Sequence, residues 1–245
     1  MLIRLPALFV SDLHLSEQAT GIRELFESFL NGPARDADQL YILGDLFDYW
    51  LGDDSLVLPF ERSIADQLAA TACAGTTINF MPGNRDFLAG PNLMAAARMR
   101  AVADSTVCQI NGRPTLLLHG DTLCTDDSAY WAFRNLVRSA DWQRNFLDQP
   151  LDVRRQQVET LRDRSESAKQ EKSEALMNVN AAAVATAFRQ QGVDRMIHGH
   201  VHRQGAHEDE IDGTTCRRWV LGDWGRTGSY LRCDDDDWRL CSYPE

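Results

Sequence analysis

Apolar runs that stop abruptly at Gly, Asp or His recur along the chain: Leu8-Phe9-Val10, Tyr41-Ile42-Leu43, Ile78-Asn79-Phe80-Met81, Leu116-Leu117-Leu118, Met196-Ile197 and Trp219-Val220-Leu221. Short continuous runs bounded by turn residues predict strands buried on both faces. Between them the spacing turns helical, at Ile22, Leu25, Phe26 and Phe29 and again at Ile64 and Leu68. Strands alternating with helices predict an α/β architecture, with ligands at the carboxyl ends of the strands. The tail from Trp219 to Tyr243 lacks helical spacing and reads as paired strands around Asp234-Asp235-Asp236-Asp237. That acidic run is expected as a solvated turn, because it lacks the spacing of a calcium-binding loop.

From Asp121 to Arg195 the rhythm changes: no convincing strand appears, and the composition turns rich in Gln, Arg and Glu. Leu176, Val179, Ala183 and Ala187 share one helix face, with Asn178 and Asn180 off it, while Leu136, Val137, Leu151, Val153, Val158 and Leu161 predict shorter helices before it. We read residues 122–192 as a helical cap over the strand ends, inserted into a single domain spanning 1–245; the plainer alternative is helices that only cover the sheet. The chain's two lysines, Lys169 and Lys172, both fall here. Three residues apart, they can share a helix face and meet a phosphate, although a codon bias against lysine explains them equally well.

The chain has 245 residues, 44% of them hydrophobic and 25% charged, enough for one substantial core in a soluble protein. A net charge of -11 argues against broad nucleic-acid binding, which clustered Lys and Arg drive. It leaves an anionic substrate open, because bound cations can supply local positive charge. Met1-Leu2-Ile3-Arg4-Leu5-Pro6 lacks the layout of a signal peptide, no apolar stretch approaches bilayer-spanning length, and the cysteines form no C-x-x-C pair. A cytoplasmic protein with reduced thiols is expected.

The chemistry lies where the apolar runs end. Asp12-Leu13-His14, Gly44-Asp45, Gly83-Asn84-Arg85-Asp86, His119-Gly120-Asp121 and His198-Gly199-His200-Val201-His202 each follow one, and together they hold five of the six histidines. Carboxylate, imidazole and amide oxygen from five strand ends make a ligand set for two divalent metals: Asp12, His14, Asp45, Asn84, His119, His200 and His202. Two such cations carry four positive charges; Asp12, Asp45 and a hydroxide remove three, and the remainder favours an incoming phosphate. Oxygen and nitrogen ligands without thiolate suit manganese, iron or zinc. His198 is expected to be structural, His207 a surface residue, and Asp121 and Asp223 turn carboxylates.

In their order and spacing, these motifs resemble the calcineurin-like metallophosphoesterases over nearly the whole chain. The resemblance implies a β-sandwich flanked by helices, within the α/β (α+β) class, and two metals at one edge. Asp12, His14, Asp45 and His202 would hold one metal and Asp45, Asn84, His119 and His200 the other, with Asp45 shared. Many members carry G-N-H-E or G-N-H-D, whereas this chain has Arg85 in place of that histidine. Arginine cannot act as an acid at neutral pH but can brace a phosphoryl oxygen.

The Ser11–Leu15, Gly44–Trp50, Gly83–Asp86 and Val220–Trp224 segments are similar to the branch that hydrolyses UDP-2,3-diacylglucosamine in lipid A biosynthesis. That likeness implies release of UMP and 2,3-diacylglucosamine 1-phosphate (lipid X), usually with manganese. Catalytic work would fall to Asn84, Arg85 and His200. Substrate contacts would come from these three and from Asp127, Ser165, Lys169, Lys172, Arg162 and Tyr130, with Phe87 and Phe133 lining an acyl channel. Lys169 departs from the uncharged polar residue usual at its position in that branch. A monomer in peripheral contact with the cytoplasmic face of the inner membrane, without nucleic acid, is expected. Alternatives are a phosphodiesterase or nucleotide phosphatase acting on a soluble substrate, a metal-supported scaffold without catalysis and, less favoured by the acidic balance, a nuclease.

Overall fold

Each apolar run is continuous because its strand is buried between two different cores. In the computed structural model, Leu8 and Val10 point to one core, while Ala7 and Phe9 point to another. Leu40 and Ile42 alternate in the same way with Tyr41 and Leu43, as do Ile78 and Phe80 with Met81. The described residues are 1–171, 178–235 and 237–244, and the side chains of 163–171 are outside the description.

In chain order the strands are β1 (Leu2–Ile3), β2 (Ala7–Val10), β3 (Gln39–Leu43), β4 (Thr77–Met81), β5 (Arg100–Ala101), β6 (Thr106–Ile110), β7 (Arg113–Leu117), β8 (Arg195–His198), β9 (Gly205–Ile211), β10 (Thr214–Val220), β11 (Gly228–Cys233) and β12 (Trp238–Tyr243). The α-helices are α1 (Thr20–Asn31), α2 (Pro59–Cys73), α3 (Pro91–Ala96), α4 (Ser128–Val137), α5 (Ala140–Leu147), α6 (Leu151–Glu171) and α7 (Ala181–Gln191). Two mixed sheets form, ordered β1-β6-β7-β8-β10-β9 and β12-β11-β2-β3-β4-β5. Their inner faces share a core that includes Phe9, Tyr41, Leu43, Leu117, Ile197, Trp219 and Leu221. Helices α1, α2 and α3 cover the outer face of the second sheet through Phe26, Phe29, Ile64, Leu68 and Leu93. Helix α7 covers the outer face of the first through Val184 and Phe188, which meet Leu116, Leu118 and Met196. The result is a four-layered α/β sandwich.

The acidic run closes the β11–β12 hairpin. Asp234 and Asp237 share a backbone hydrogen bond across the turn, and Arg232 and Arg239 pair with their carboxylates.

Two expectations for the 121–195 segment are refined. The shorter helices expected from Leu136, Val137, Leu151, Val153, Val158 and Leu161 are α4 and α6, with α5 between them, and α6 is longer than α7. The apolar face expected from Val179, Ala183 and Ala187 is centred instead on buried Val184 and Phe188, with Val179 and Ala187 partly buried against the same cluster. Helix α7 begins only at Ala181, where the Asn180 side chain caps it by accepting from the Ala182 and Ala183 amides. Leu176 lies outside the described residues.

Helix α6 is tied to the body by an arginine that reads from sequence as a surface charge. Arg154 is 1% exposed, donates to the Leu51 carbonyl at 2.5 Å and pairs with Asp54. Asp54 is largely solvated, so most of the stabilisation comes from the buried carbonyl. Arg154→Ala is expected to cost about 2–3 kcal/mol and lower the melting temperature by roughly 5–10 °C in a calorimetric scan.

Candidate metal centre

Five loops leave the carboxyl ends of β2, β3, β4, β7 and β8 at the same end of the sandwich, and main-chain bonds lock them together. Asp12 N–H donates to the Gly44 carbonyl (3.1 Å), His14 N–H to Asp45 (3.0 Å) and Gly199 N–H to His119 (2.8 Å). Asp12, His14, Asp45, His200 and His202 all have positive φ, between 48° and 69°. This left-handed region costs energy for residues with a Cβ, and such strain gathers where the surrounding structure must aim functional groups.

The loops approach so closely that two glycines are obligatory. Gly44 has φ +91°, and a Cβ there would stand 2.6 Å from Gly83 Cα. A Cβ on Gly199 would overlap Ser11 Oγ and Asp12 Oδ2. Gly199→Ala must therefore displace Asp12, and is expected to weaken metal binding by about 10–100-fold, as read by titration against a competing chelator.

The side chains gathered here include two sets whose ligand atoms lie within 4.8 Å of one another: Asp12 with His14 and His202, and Asp12 with Asp45 and His119. Asp12 Oδ2 accepts from Ser11 Oγ (2.5 Å) and the His200 amide (2.8 Å). Its Oδ1 is buried and makes no well-formed hydrogen bond, its nearest cationic partner being His202 Nε2 at 3.4 Å. Asp45 Oδ1 accepts from the Arg85 amide (2.9 Å), and its Oδ2 lies 3.7 Å from His119 Nε2. His200 completes the group, its ring 5.1 Å from that of His119.

His119 Nδ1 faces the Leu43 carbonyl at 2.9 Å and must carry a hydrogen, so in the neutral ring Nε2 presents a lone pair to Asn84 Oδ1, also 2.9 Å away. A proton on Nε2 or a metal cation between the two reconciles that contact. His14 Nε2 and His202 Nε2 meet at 3.2 Å, where neutral tautomers can pair as donor and acceptor or both lone pairs can face one cation. A cation would also meet the buried Asp12 Oδ1. These residues fit divalent metal.

The proton equilibria carry the same signature. Burial alone would lower the His119 imidazole, but Asp45, Asp12 and Asp121 outweigh it and lift it to about 9. His202 also rises to about 9, where the neighbouring carboxylates of Asp12 and Asp223, 3.4 and 3.6 Å away, overcome burial. Burial holds His14 and His200 down at about 3 and pushes Asp45 above the usual carboxylate range. Metal binding at such a site competes with protons for the same lone pairs.

Buried carboxylates position the loops and the neighbouring helix. Asp86 accepts from the Gly83 amide (2.7 Å) and the Leu46 amide (2.8 Å), so it clips the Asn84 loop to the Asp45 loop. Asp121, expected as a turn carboxylate, is fully buried and accepts from Tyr130 Oη (2.6 Å) and Arg134 Nε (2.7 Å), fastening α4 beside His119. The spacing of Tyr130 and Arg134, four apart on a helix, was the available signal for a shared partner. Asp223 lies 3.6 Å from His202 Nδ1, behind that ring and not merely in a turn. His198 donates from Nδ1 to the Gly199 carbonyl (2.9 Å) and receives Arg218 at Nε2 (3.3 Å), and His207 is exposed on β9.

The other expected substrate contacts are less uniform. Asp127 caps α4 by accepting from the Tyr130 amide at 3.0 Å, and Arg162 pairs with Asp48 at 2.7 Å. The Tyr130 hydroxyl is engaged by Asp121, and its ring lies 6.0 Å from that of His200. Phe87 packs near Trp142 under Arg138, while Phe133 is 39% exposed on α4. The side chains of Ser165 and Lys169, and the whole of Lys172, lie outside the described residues.

Strand ends that present aspartate, histidine and asparagine in this order, from two facing mixed sheets, define a metallophosphoesterase scaffold. The chain belongs to the calcineurin-like phosphoesterase family, whose sequence model matches residues 5–204. Over 230 residues, covering 94% of each chain, it is 50% identical to a protein of Aromatoleum aromaticum named UDP-2,3-diacylglucosamine hydrolase. Proteins of the same name from Xanthomonas campestris pv. campestris and Proteus mirabilis are each 44% identical. The first match covers 95% of this chain and 96% of the relative, the second 97% and 98%.

Proposed function

We propose that this protein hydrolyses the diphosphate of UDP-2,3-diacylglucosamine, releasing UMP and 2,3-diacylglucosamine 1-phosphate. The observation that carries this reading is the convergence of all seven candidate ligands in a chain similar over nearly its full length to relatives named for that hydrolysis. In this reading Asp12, His14, Asp45 and His202 hold one cation, and Asp45, Asn84, His119 and His200 the other, with manganese as the metal. Such a pair, when bound, activates water at neutral pH and offsets charge on the phosphoryl oxygens.

The chain's own residues supply position and charge. Arg85 aims a permanently charged fork at the phosphoryl group, while Asp45 fixes its backbone through the Arg85 amide. His200, neutral at pH 7, keeps a lone pair for a ligand bond. Asn84 contributes oxygen without adding negative charge.

Residues 122–192 serve as the cap in this proposal, with α4 to α6 facing the substrate and α7 packed on the outer face of the first sheet. Asp127, Tyr130 and Arg162 reach the head group together with Ser165, Lys169 and Lys172. Phe133, Leu136 and Leu147, exposed by 39%, 57% and 40%, offer apolar surface to the acyl chains. No helix among the described residues is long and apolar enough to cross a membrane. A monomer touching the cytoplasmic face of the inner membrane peripherally meets such a substrate, and nucleic acid plays no part.

The test is 31P NMR of the manganese-loaded protein with UDP-2,3-diacylglucosamine. UMP and the sugar 1-phosphate should appear together, and a chelator should stop both; no cleavage by fully loaded protein would sink the proposal.

A further inference from the structure

Between the metal loops and α6 sits a carboxylate that the proposed reaction does not use. Asp48 is buried, with its amide donating to the Leu15 carbonyl (3.0 Å). Its Oδ2 pairs with Arg162 Nη1 at 2.7 Å, and its Oδ1 lies 3.7 Å from Arg85 Nη1. One aspartate thus stands between two arginines from distant parts of the chain, one beside the metal centre and the other on α6. The surroundings reinforce that junction. Arg155, Glu159 and Arg162, one stripe of α6, all act electrostatically on neighbouring Tyr49, and the Trp50 amide donates to the Arg85 carbonyl at 3.1 Å.

Two guanidiniums and one carboxylate sum to a single positive charge. Without Asp48 the two cations would repel each other, and α6 would lose its link to the Arg85 loop. With it, one carboxylate pairs with Arg162 at 2.7 Å and stands within ion-pair reach of Arg85 at 3.7 Å, so both guanidiniums share a common anchor. We infer that Asp48 is a positioning residue that sets Arg85 and Arg162 as a paired clamp for two linked phosphates, giving preference for a diphosphate over a monophosphate. The inference rests on the diphosphate reading above, but its test needs no turnover.

The sign of one measurement separates positioning from plain electrostatics. A carboxylate acting only as a nearby negative charge repels phosphates, so its neutralisation tightens their binding. A carboxylate that aligns two arginines does the reverse. The experiment is calorimetric binding of UDP and of UMP to the manganese-loaded full chain, for wild type, Asp48→Asn, Asp48→Glu, Arg162→Ala and the Asp48→Asn/Arg162→Ala double variant. The expected result is UDP binding weakened about 10-fold in Asp48→Asn, UMP binding weakened much less, and substantial recovery in Asp48→Glu. The double variant should lose no more than its worse single parent, because both changes break the same pair.

Tighter or unchanged UDP binding in Asp48→Asn, equal losses for UDP and UMP, additive losses in the double variant, or no UDP binding by the wild type would each overturn the inference. Should the NMR assay show no cleavage while UDP binding follows the expected pattern, the reaction is wrong and the clamp stands.

Discussion

Asp45→Ala should abolish turnover, with kcat falling on the order of 10³-fold or more, and should lower the metal content of the purified protein. Asp45 stands in one ligand set with Asp12 and His119, and its second oxygen anchors the Arg85 amide. Removing it therefore deletes negative charge where the proposed cations would bind and frees the loop that carries Arg85. Elemental analysis alongside steady-state kinetics checks both parts. A variant that keeps its metal and a near wild-type rate would remove Asp45 from the centre.

Arg85→Ala tests a separable contribution. Its guanidinium is permanently charged and offers no lone pair to a cation, so metal content should be retained while kcat falls by roughly 10²–10³-fold. Arg85→Lys should recover only part of the loss, since an ammonium keeps the charge but lacks the planar fork. Full recovery by lysine would show that charge alone matters at this position.

The strands were legible because a strand buried between two cores has no polar alternation to hide it: Leu8 to Val10 and Tyr41 to Leu43 are apolar at every step. The candidate ligands were legible because Gly, Asp and His are conspicuous directly after such runs. Division into two sheets was not visible in the residues themselves, because pairings such as Leu231 with Phe9 join segments far apart in sequence. Helix α6 was legible as a helix through Leu151, Val153, Val158 and Leu161, but not in its length. A stretch rich in Arg, Gln and Glu shows little apolar periodicity, and buried Arg154 looks like its solvated neighbours until Leu51 is seen beneath it. Asp121 and Asp48 were obscure for a related reason. A carboxylate's role depends on which cations the fold brings to it, and Arg134, Arg85 and Arg162 arrive from separate elements.

The most direct test of the two-cation centre is anomalous diffraction from crystals grown with manganese. The account predicts two anomalous peaks, one touching Asp12, His14 and His202, the other touching Asn84, His119 and His200, with Asp45 reaching both. A single peak, or peaks away from these side chains, would contradict it.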